Sequence, residues 1–351
     1  MDEFKVLVAD GTTECRSMLC GVLGELPNIR VVGTAGDGKT TLEKVARLAP
    51  HVVLLDVDMS IADELDTLRE LAEKWTAVSV VMVCPPTQQG IEKTTKALQL
   101  GAFDFFSKPV RCDQFTQTDK LRNDLRRVFQ AFTTRRSVSA LSAAQGVAPA
   151  SVGLRSGPSA AIEAVAIGVS TGGPNALAAM LPELPADLGV PVLIVQHMPS
   201  TFTGLLASML DRRCLLRVVE GRERLPVEKN TVYIAPGGMH MRIRRRQDQV
   251  VVETTLDPPE QHSRPSVNYL FRSVAEVYGA RALGVIMTGM GFDGTEGLAA
   301  MKAKGSYVLA QDERSSIVFG MPGEAAKAGL TDEQVPLEEL ASRIVHCVRR
   351  A

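Results

Sequence analysis

The chain has 351 residues, with 39 Lys and Arg against 40 Asp and Glu and a formal net charge of −1. At roughly 150 residues per domain, that length predicts about two domains. A hydrophobic fraction of 45% with 23% charged residues excludes wholesale disorder, and the near-zero charge excludes a chain-wide electrostatic grip on nucleic acid or anionic lipid.

Short β-branched runs alternate with helical patterns from the start, which is the mark of parallel α/β sheets. Strands are predicted at residues 5–9, from 31–32 onward, and at 51–56, 78–83 and 103–107. Helical patterns lie between them, for example at 39–48 and 91–100. Five strand–helix units make one doubly wound parallel domain, residues 1–125. Residues 113–136 are charged and helix-compatible. Residues 137–160 are rich in Ala, Ser, Gly and Pro with one charge, which is linker composition. A helical extension and linker are therefore assigned to 126–161.

A second, Rossmann-like α/β domain follows at 162–351. Strands are predicted at 164–169, 191–195, 231–235 and 282–287, and helices at 175–181, 202–210, 267–277 and 294–304. Residues 250–255 pair with 241–244 as a β-hairpin, so the sheet is predicted to be mostly parallel but mixed. No internal repeat is visible. Arg242, Arg244, Arg245 and Arg246 read as the solvated end of that hairpin, with an acidic partner surface as the alternative.

Cys15, Cys20, Cys84, Cys112, Cys214 and Cys347 contain no CxxC pair, which argues against zinc ribbons and thioredoxin-type sites and for thiols in a reducing compartment. The opening MDEFKVLVAD lacks the basic and apolar regions of a signal peptide. Residues 164–181 are uncharged but broken by Gly, Ser, Thr, Pro and Asn, so they do not read as a membrane span. A cytoplasmic protein without membrane insertion is expected.

Open α/β sheets place their sites at the carboxyl ends of strands. In the first domain Asp10, Asp56 and Lys108 gather there. Two acids and a lysine at such an edge can accept a phosphoryl group, with the acids holding Mg²⁺. On spacing alone, Asp10 and Asp56 as caps of the following turns are an equal alternative. The VLVAD, VVLLDVDM and FFSKP segments resemble response-regulator receiver domains. That resemblance implies Asp56 as phosphoacceptor, Asp10 and Lys108 (followed by Pro109) as pocket residues, and a kinase as phosphodonor. Four departures stand out. Gly11 takes the place of a second acid, which removes a direct Mg²⁺ ligand. Cys84, followed by Pro85 and Pro86, takes the place of a hydroxyl residue. Ser60 and Glu64 stand where Pro and Gly are common.

In the second domain, Gly168-Val169-Ser170-Thr171-Gly172 lies between a strand and a helix, the context of a G-x-S-x-G nucleophile turn. A phosphate loop is the competing reading, but GVSTGGP lacks the P-loop Lys. A tight turn without chemistry is the third. Of the five histidines, His197 falls at the same strand end as Ser170. His51 and His346 read as structural, and His240 and His262 as rim residues. Asp293, in MTGMGFDG, read alone, is a helix N-cap for 294–304. With Ser170 and His197 it completes a Ser, His, Asp order, unlike the Ser, Asp, His order of α/β-hydrolases.

The strings GVSTGGP, VQHMP, RPSVNYLFRSVAEVYG, GVIMTGMGFDG and IVFGMP closely resemble the catalytic domain of chemotaxis protein-glutamate methylesterases. The resemblance implies Ser170 as nucleophile, His197 as general base and acid, Asp293 as its orienting acid, Met290 as a backbone oxyanion donor and Thr171 beside the histidine. It implies no cofactor for catalysis. It further implies glutamate methyl ester hydrolysis and glutamine deamidation on methyl-accepting chemotaxis receptors, with a chemotaxis histidine kinase as phosphodonor and a receiver that hinders the substrate until phosphorylated. The alternatives are receiver regulation without phosphate, a non-catalytic signalling adaptor, and a nucleotide-binding domain.

Overall fold

The computed structural model describes residues 3–59, 64–85, 87–108, most of 119–132 and 157–350. Ser60, Pro86, Pro109, Cys112 and nearly all of the 137–160 linker lie outside the described residues, as does part of the 113–136 helical pattern, of which 121–126 is helical. The chain divides into two compact units, Met1–Gln130 and Ala131–Ala351.

The first unit alternates β1 (Phe4–Ala9), α1 (Thr13–Gly24), β2 (Ile29–Ala35), α2 (Gly38–Leu48), β3 (Val52–Asp56), α3 (Glu64–Lys74), β4 (Ser79–Cys84), α4 (Gln88–Gln99) and β5 (Asp104–Ser107). The sheet order is β2-β1-β3-β4-β5 with every pairing parallel. β3 is buried at all five residues because helices cover both sheet faces, and that is why it reads as an unbroken apolar run ending on Asp56. Asp37 caps α2 by accepting from the Thr40 amide at 2.7 Å, and Thr87 caps α4 through Gly90. His51, just ahead of β3, accepts the Lys5 amide through Nδ1 at 3.0 Å, which ties the start of β3 to β1.

The second unit runs β6 (Ala164–Val169), α5 (Gly173–Met180), β7 (Val192–Gln196), α6 (Ser200–Asp211), β8 (Arg217–Glu220), β9 (Thr231–Ile234), β10 (His240–Arg246), β11 (Gln249–Thr255), α7 (Val267–Tyr278), β12 (Ala282–Ile286), α8 (Thr295–Ala303), β13 (Tyr307–Gln311), α9 (Met321–Lys327), β14 (Glu333–Val335) and α10 (Leu337–Arg349). Seven strands form one sheet, ordered β14-β13-β12-β6-β7-β9-β8, and all its pairings are parallel. The hairpin β10–β11 does not extend that sheet as the sequence pattern predicts. It forms a separate antiparallel pair. The reason is its inward face: Met241, Ile243 and Val252 are buried with Phe271 and Val274 of α7, so the hairpin packs on a helix.

Three of the four hairpin arginines are spent on one carboxylate. Arg242, Arg244 and Arg246 share a strand face and approach the buried Glu253 at 3.0, 3.9 and 2.7 Å. Arg246, then Arg242, outweigh burial and hold the Glu253 carboxyl below its usual range. The cluster is largely an ion network around Glu253, while Arg245 alternates onto the Ile243 face and is exposed at the hairpin end.

Two helix starts near the sheet's carboxyl edge exchange caps. Asp293 does not cap α8, the helix that follows it. It accepts the amides of Val267 at 2.7 Å and Asn268 at 3.0 Å, the first two residues of α7. Asn268 returns the favour: its Oδ1 accepts from Gly294 and Gly297 at 2.9 and 2.8 Å, at the start of α8. Each helix terminus leaves amides without intrahelical partners, and here a side chain from the other helix start satisfies them. Asn268→Ala is expected to cost the second unit about 2 kcal/mol, because two buried amides lose their acceptor. Urea unfolding measures this, and a loss under about 0.5 kcal/mol would show that α8 does not depend on the exchange.

Candidate active site

β12, β6 and β7 are adjacent, and each ends near one candidate residue. Ser170 follows β6, His197 follows β7, and Asp293 lies in the loop between β12 and α8. The β6–β7 register pairs Val169 with Gln196, so Ser170 and His197 are the next residues on neighbouring strands. The His197 amide closes that ladder on the Val169 carbonyl at 3.1 Å.

The backbone of Ser170 is fixed on three sides. Its amide donates to the Thr288 carbonyl at 3.0 Å, and its own carbonyl accepts from the Gly173 amide at 2.8 Å and from Gln196 Nε2 at 2.9 Å. The turn needs Gly172, whose φ of +76° lies in the left-handed region that a side chain disfavours. The Ser170 hydroxyl sits at the N-terminal end of α5, where the helix dipole favours developing negative charge.

His197 Nε2 lies 2.8 Å from Asp293 Oδ2. That leaves Nδ1 as the ring nitrogen available to accept a proton. The Ser170 hydroxyl itself makes no hydrogen bond among the described residues, so the structure joins His197 to Asp293 and places Ser170 beside them without closing the last link. Catalytic hydrogen bonds of this kind are often long without substrate and tighten in the complex. Asp293 is 3% exposed and also accepts from the Ser266 hydroxyl at 2.9 Å. Burial alone would raise its carboxyl, but the donors from His197, Asn268 and Val267 outweigh it and hold the carboxyl below its usual range. Asp293 therefore stays ionised at neutral pH.

Met290 lies in the same loop, flanked by glycines. Its amide makes no hydrogen bond to a described residue, which leaves a backbone donor free. A Cβ on Gly289 would fall 2.8 Å from Ser170 Cβ, so only glycine lets this loop approach the Ser170 turn. The loop is braced from behind: the Gly289 amide donates to the Val318 carbonyl at 3.0 Å, and its carbonyl accepts from Gly320 and Met321. Thr171 is placed next to Ser170, with its carbonyl accepting from the Thr288 hydroxyl at 3.0 Å; its own hydroxyl makes no hydrogen bond among the described residues.

His240 is buried. Its Nδ1 accepts the Ser266 amide at 3.2 Å, Nε2 donates to the Pro258 carbonyl at 3.0 Å, and the ring stacks on Tyr269. It lies behind the site, not on the rim. His262 and His346 are exposed. Gln196, Ser266, Asn268 and Thr288 are the supporting residues that pattern reading passed over. Ser266 alone left a local signal, as a serine just ahead of a helical run.

In the first unit, the strand-end cluster assembles. Lys108 Nζ is 2.7 Å from Asp10 Oδ2 and 2.8 Å from Asp56 Oδ2, and both acids are buried. Burial, with the charge of Asp10, raises the Asp56 carboxyl despite Lys108. Burial would lower Lys108, but the two carboxylates hold it above its usual range. Cys84 is buried at the end of β4, its thiol pushed up to about 11 by burial, and Sγ donates to the Pro85 carbonyl at 3.2 Å. Glu64 is buried, accepts the Met59 amide at 2.7 Å and pairs with Lys93 at 3.3 Å, which ties the segment after β3 to α4.

Asp10 Oδ2 is buried and ion-paired with Lys108 at 2.7 Å. Such an oxygen, beside the Asp56 carboxylate, is the hard ligand that Mg²⁺ takes when waters fill its remaining positions. A Cβ on Gly11 would lie 3.6 Å from the Asp58 carbonyl, an ordinary contact, so position 11 has room for a side chain. Among the described residues, no three His, Cys, Asp or Glu side chains gather to hold a metal, so the fit is that of a two-carboxylate site. Among them, too, no helix is long and apolar enough to cross a membrane.

Comparison with known proteins follows the same division. The CheB methylesterase family matches residues 165–344, and the response regulator receiver domain family matches residues 6–118. A protein of Desulfotalea psychrophila named protein-glutamate methylesterase/protein-glutamine glutaminase is 40% identical over 367 residues, covering 99% of this chain and 100% of its own. One of the same name from Geobacillus kaustophilus is 39% identical over 355 residues, covering 99% of each. The crystal structure of the Thermotoga maritima CheB methylesterase catalytic domain superposes with a TM-score of 0.52 at 35% identity, covering 53% of this chain and 99% of that one. Matched along nearly its whole length, the chain belongs to the CheB methylesterase family, with a receiver domain ahead of the catalytic one.

Proposed function

We propose that this chain is a cytoplasmic enzyme that hydrolyses glutamate methyl esters on chemoreceptors and deamidates specific receptor glutamines. The observation that carries this reading is the His197–Asp293 pair at 2.8 Å, set at the strand end next to Ser170. In the forward step His197 Nδ1 takes the Ser170 proton while Oγ attacks the ester carbonyl. The Met290 amide receives the oxyanion, a donor of a kind worth roughly 3–4 kcal/mol of barrier. The imidazolium, held by Asp293, then protonates the departing methoxide, and methanol leaves. Water, activated by the same nitrogen, attacks the acyl-enzyme and releases glutamate. With glutamine as substrate, ammonia leaves in place of methanol. Phe292, beside Asp293, is 50% exposed and offers an apolar contact to a protein substrate at the rim.

Asp56 is the proposed phosphoacceptor, supplied by a chemotaxis histidine kinase, with Lys108 pairing the added charge. Mg²⁺, if bound, would sit on Asp10 and Asp56 and neutralise phosphoryl charge there. A second reading, regulation without phosphate, is favoured by Gly11 and Cys84: one acid is missing, and the residue at the end of β4 turns its weak donor to Pro85.

Ser170→Ala is expected to lower kcat for methanol release from methylated receptor by about 10⁶-fold, and retained turnover would remove Ser170 as nucleophile. Asp293→Asn is expected to cost about 10⁴-fold in kcat through loss of the correct tautomer. Because the native Asp293 carboxyl is depressed, it contributes stability that is complete above the unfolded value of about 3.9 and is lost as pH falls through the native value. Acid titration of folding should therefore show a shallower loss for Asp293→Asn than for wild type; identical slopes would mean that Asp293 adds no such stability. Gly11→Asp should tighten Mg²⁺ binding about tenfold by calorimetry, and an unchanged affinity would show that an acid at position 11 does not reach the metal.

A further inference from the structure

Gln196 ends β7 and precedes His197, and its side chain is 2% exposed. Its Nε2 donates to two carbonyls, that of Ser170 at 2.9 Å and that of His197 at 3.0 Å. Among the described residues, the β6–β7 ladder ends with the His197 amide on Val169, and no backbone hydrogen bond joins Ser170 to His197. The Gln196 amide is thus the direct tie between the turn that carries the nucleophile and the segment that carries the base.

Its other end is anomalous. Gln196 Oε1 is buried and has no hydrogen-bond partner among the described residues. A Cβ on Gly173 would fall 2.0 Å from it, so only a glycine at the start of α5 admits this carbonyl. Buried polar atoms are nearly always paired, and an orphaned one in a native structure calls for an explanation. The bare acceptor sets a desolvation cost against the two bonds that Nε2 makes, so net stability is a weak reason for an amide here, whereas the tie between the two carbonyls needs one.

We propose that Gln196 is a positioning residue for the hydrolysis, an amide latch that fixes the Ser170 turn and the His197 segment at the separation proton transfer needs. This rests on the Ser170–His197–Asp293 reading. Reacting groups must be held within a few tenths of an ångström, and losing that registration costs rate without touching substrate affinity.

The test is Gln196→Met in the full-length chain, with Ser170→Ala alongside. Methionine matches the length, removes both donors and removes the orphaned carbonyl. The expected result is a variant that stays folded at the assay temperature, with a melting temperature lowered by a few degrees because the His197 carbonyl loses its donor, kcat on methylated receptor down about tenfold or more, and KM within about twofold. Labelling of Ser170 by a fluorophosphonate should slow in parallel, which a purely structural role would not produce in a fully folded variant. Full kcat in Gln196→Met, with Ser170→Ala inactive, overturns the latch and leaves the triad standing. A Met variant that unfolds, or whose kcat loss is no larger than its unfolded fraction at the assay temperature, also overturns it. Activity in Ser170→Ala overturns both.

Discussion

One buried carboxylate carries the catalytic half of this molecule. Asp293 accepts from a histidine ring, a serine hydroxyl and two helix-terminal amides at once. Burying an ion without partners is prohibitive, whereas a carboxylate with this many donors is held ionised and in a single orientation. The same bonds that keep Asp293 charged anchor the start of α7, so the acid that orients His197 is also part of the fold's frame. The geometry of the proposed triad and the stability of the fold are coupled through one group, and the orientation of His197 is tied to the helix start behind it.

The surroundings repeat that economy. The Asn268 backbone amide donates to Asp293 and its Oδ1 accepts from the start of α8, so the loop's entry into α8 is held to α7. Behind the site, His240 accepts the amide of Ser266, whose hydroxyl reaches Asp293. On the other side, Thr288 joins the Ser170 turn to the Val318 segment through its carbonyl and hydroxyl. Small glycines let these segments approach, and side-chain amides and hydroxyls supply the bonds that the sheet no longer provides beyond its carboxyl edge.

The first unit keeps the receiver architecture while altering its chemistry. Asp10, Asp56 and Lys108 meet as an ion-paired cluster, yet the positions around them are changed. Gly11 leaves space where an acid would face the Asp58 carbonyl, Cys84 turns its thiol away to Pro85, and Glu64 anchors the segment after β3 to Lys93. A buried Asp56 with a raised carboxyl is harder to ionise than an exposed one, and Lys108 is the group that offsets this.

The amino-acid sequence by itself determined the alternation of strands and helices, the two-part organisation and the strand ends on which Ser170, His197, Asp10, Asp56 and Lys108 stand. Those features are local: an apolar run of five residues, a glycine-bracketed serine and an acid closing a strand are visible within a short window. The tertiary structure alone decided which helix Asp293 caps, since an aspartate next to a helix start looks the same whether it serves that helix or another 26 residues earlier in the chain. It also decided that the hairpin leaves the main sheet and that its arginines close on Glu253. Gln196 was illegible for the same reason. At the end of an apolar strand it reads as an ordinary polar residue, and only the parallel register of β6 and β7 places its amide between two carbonyls that belong to different strands.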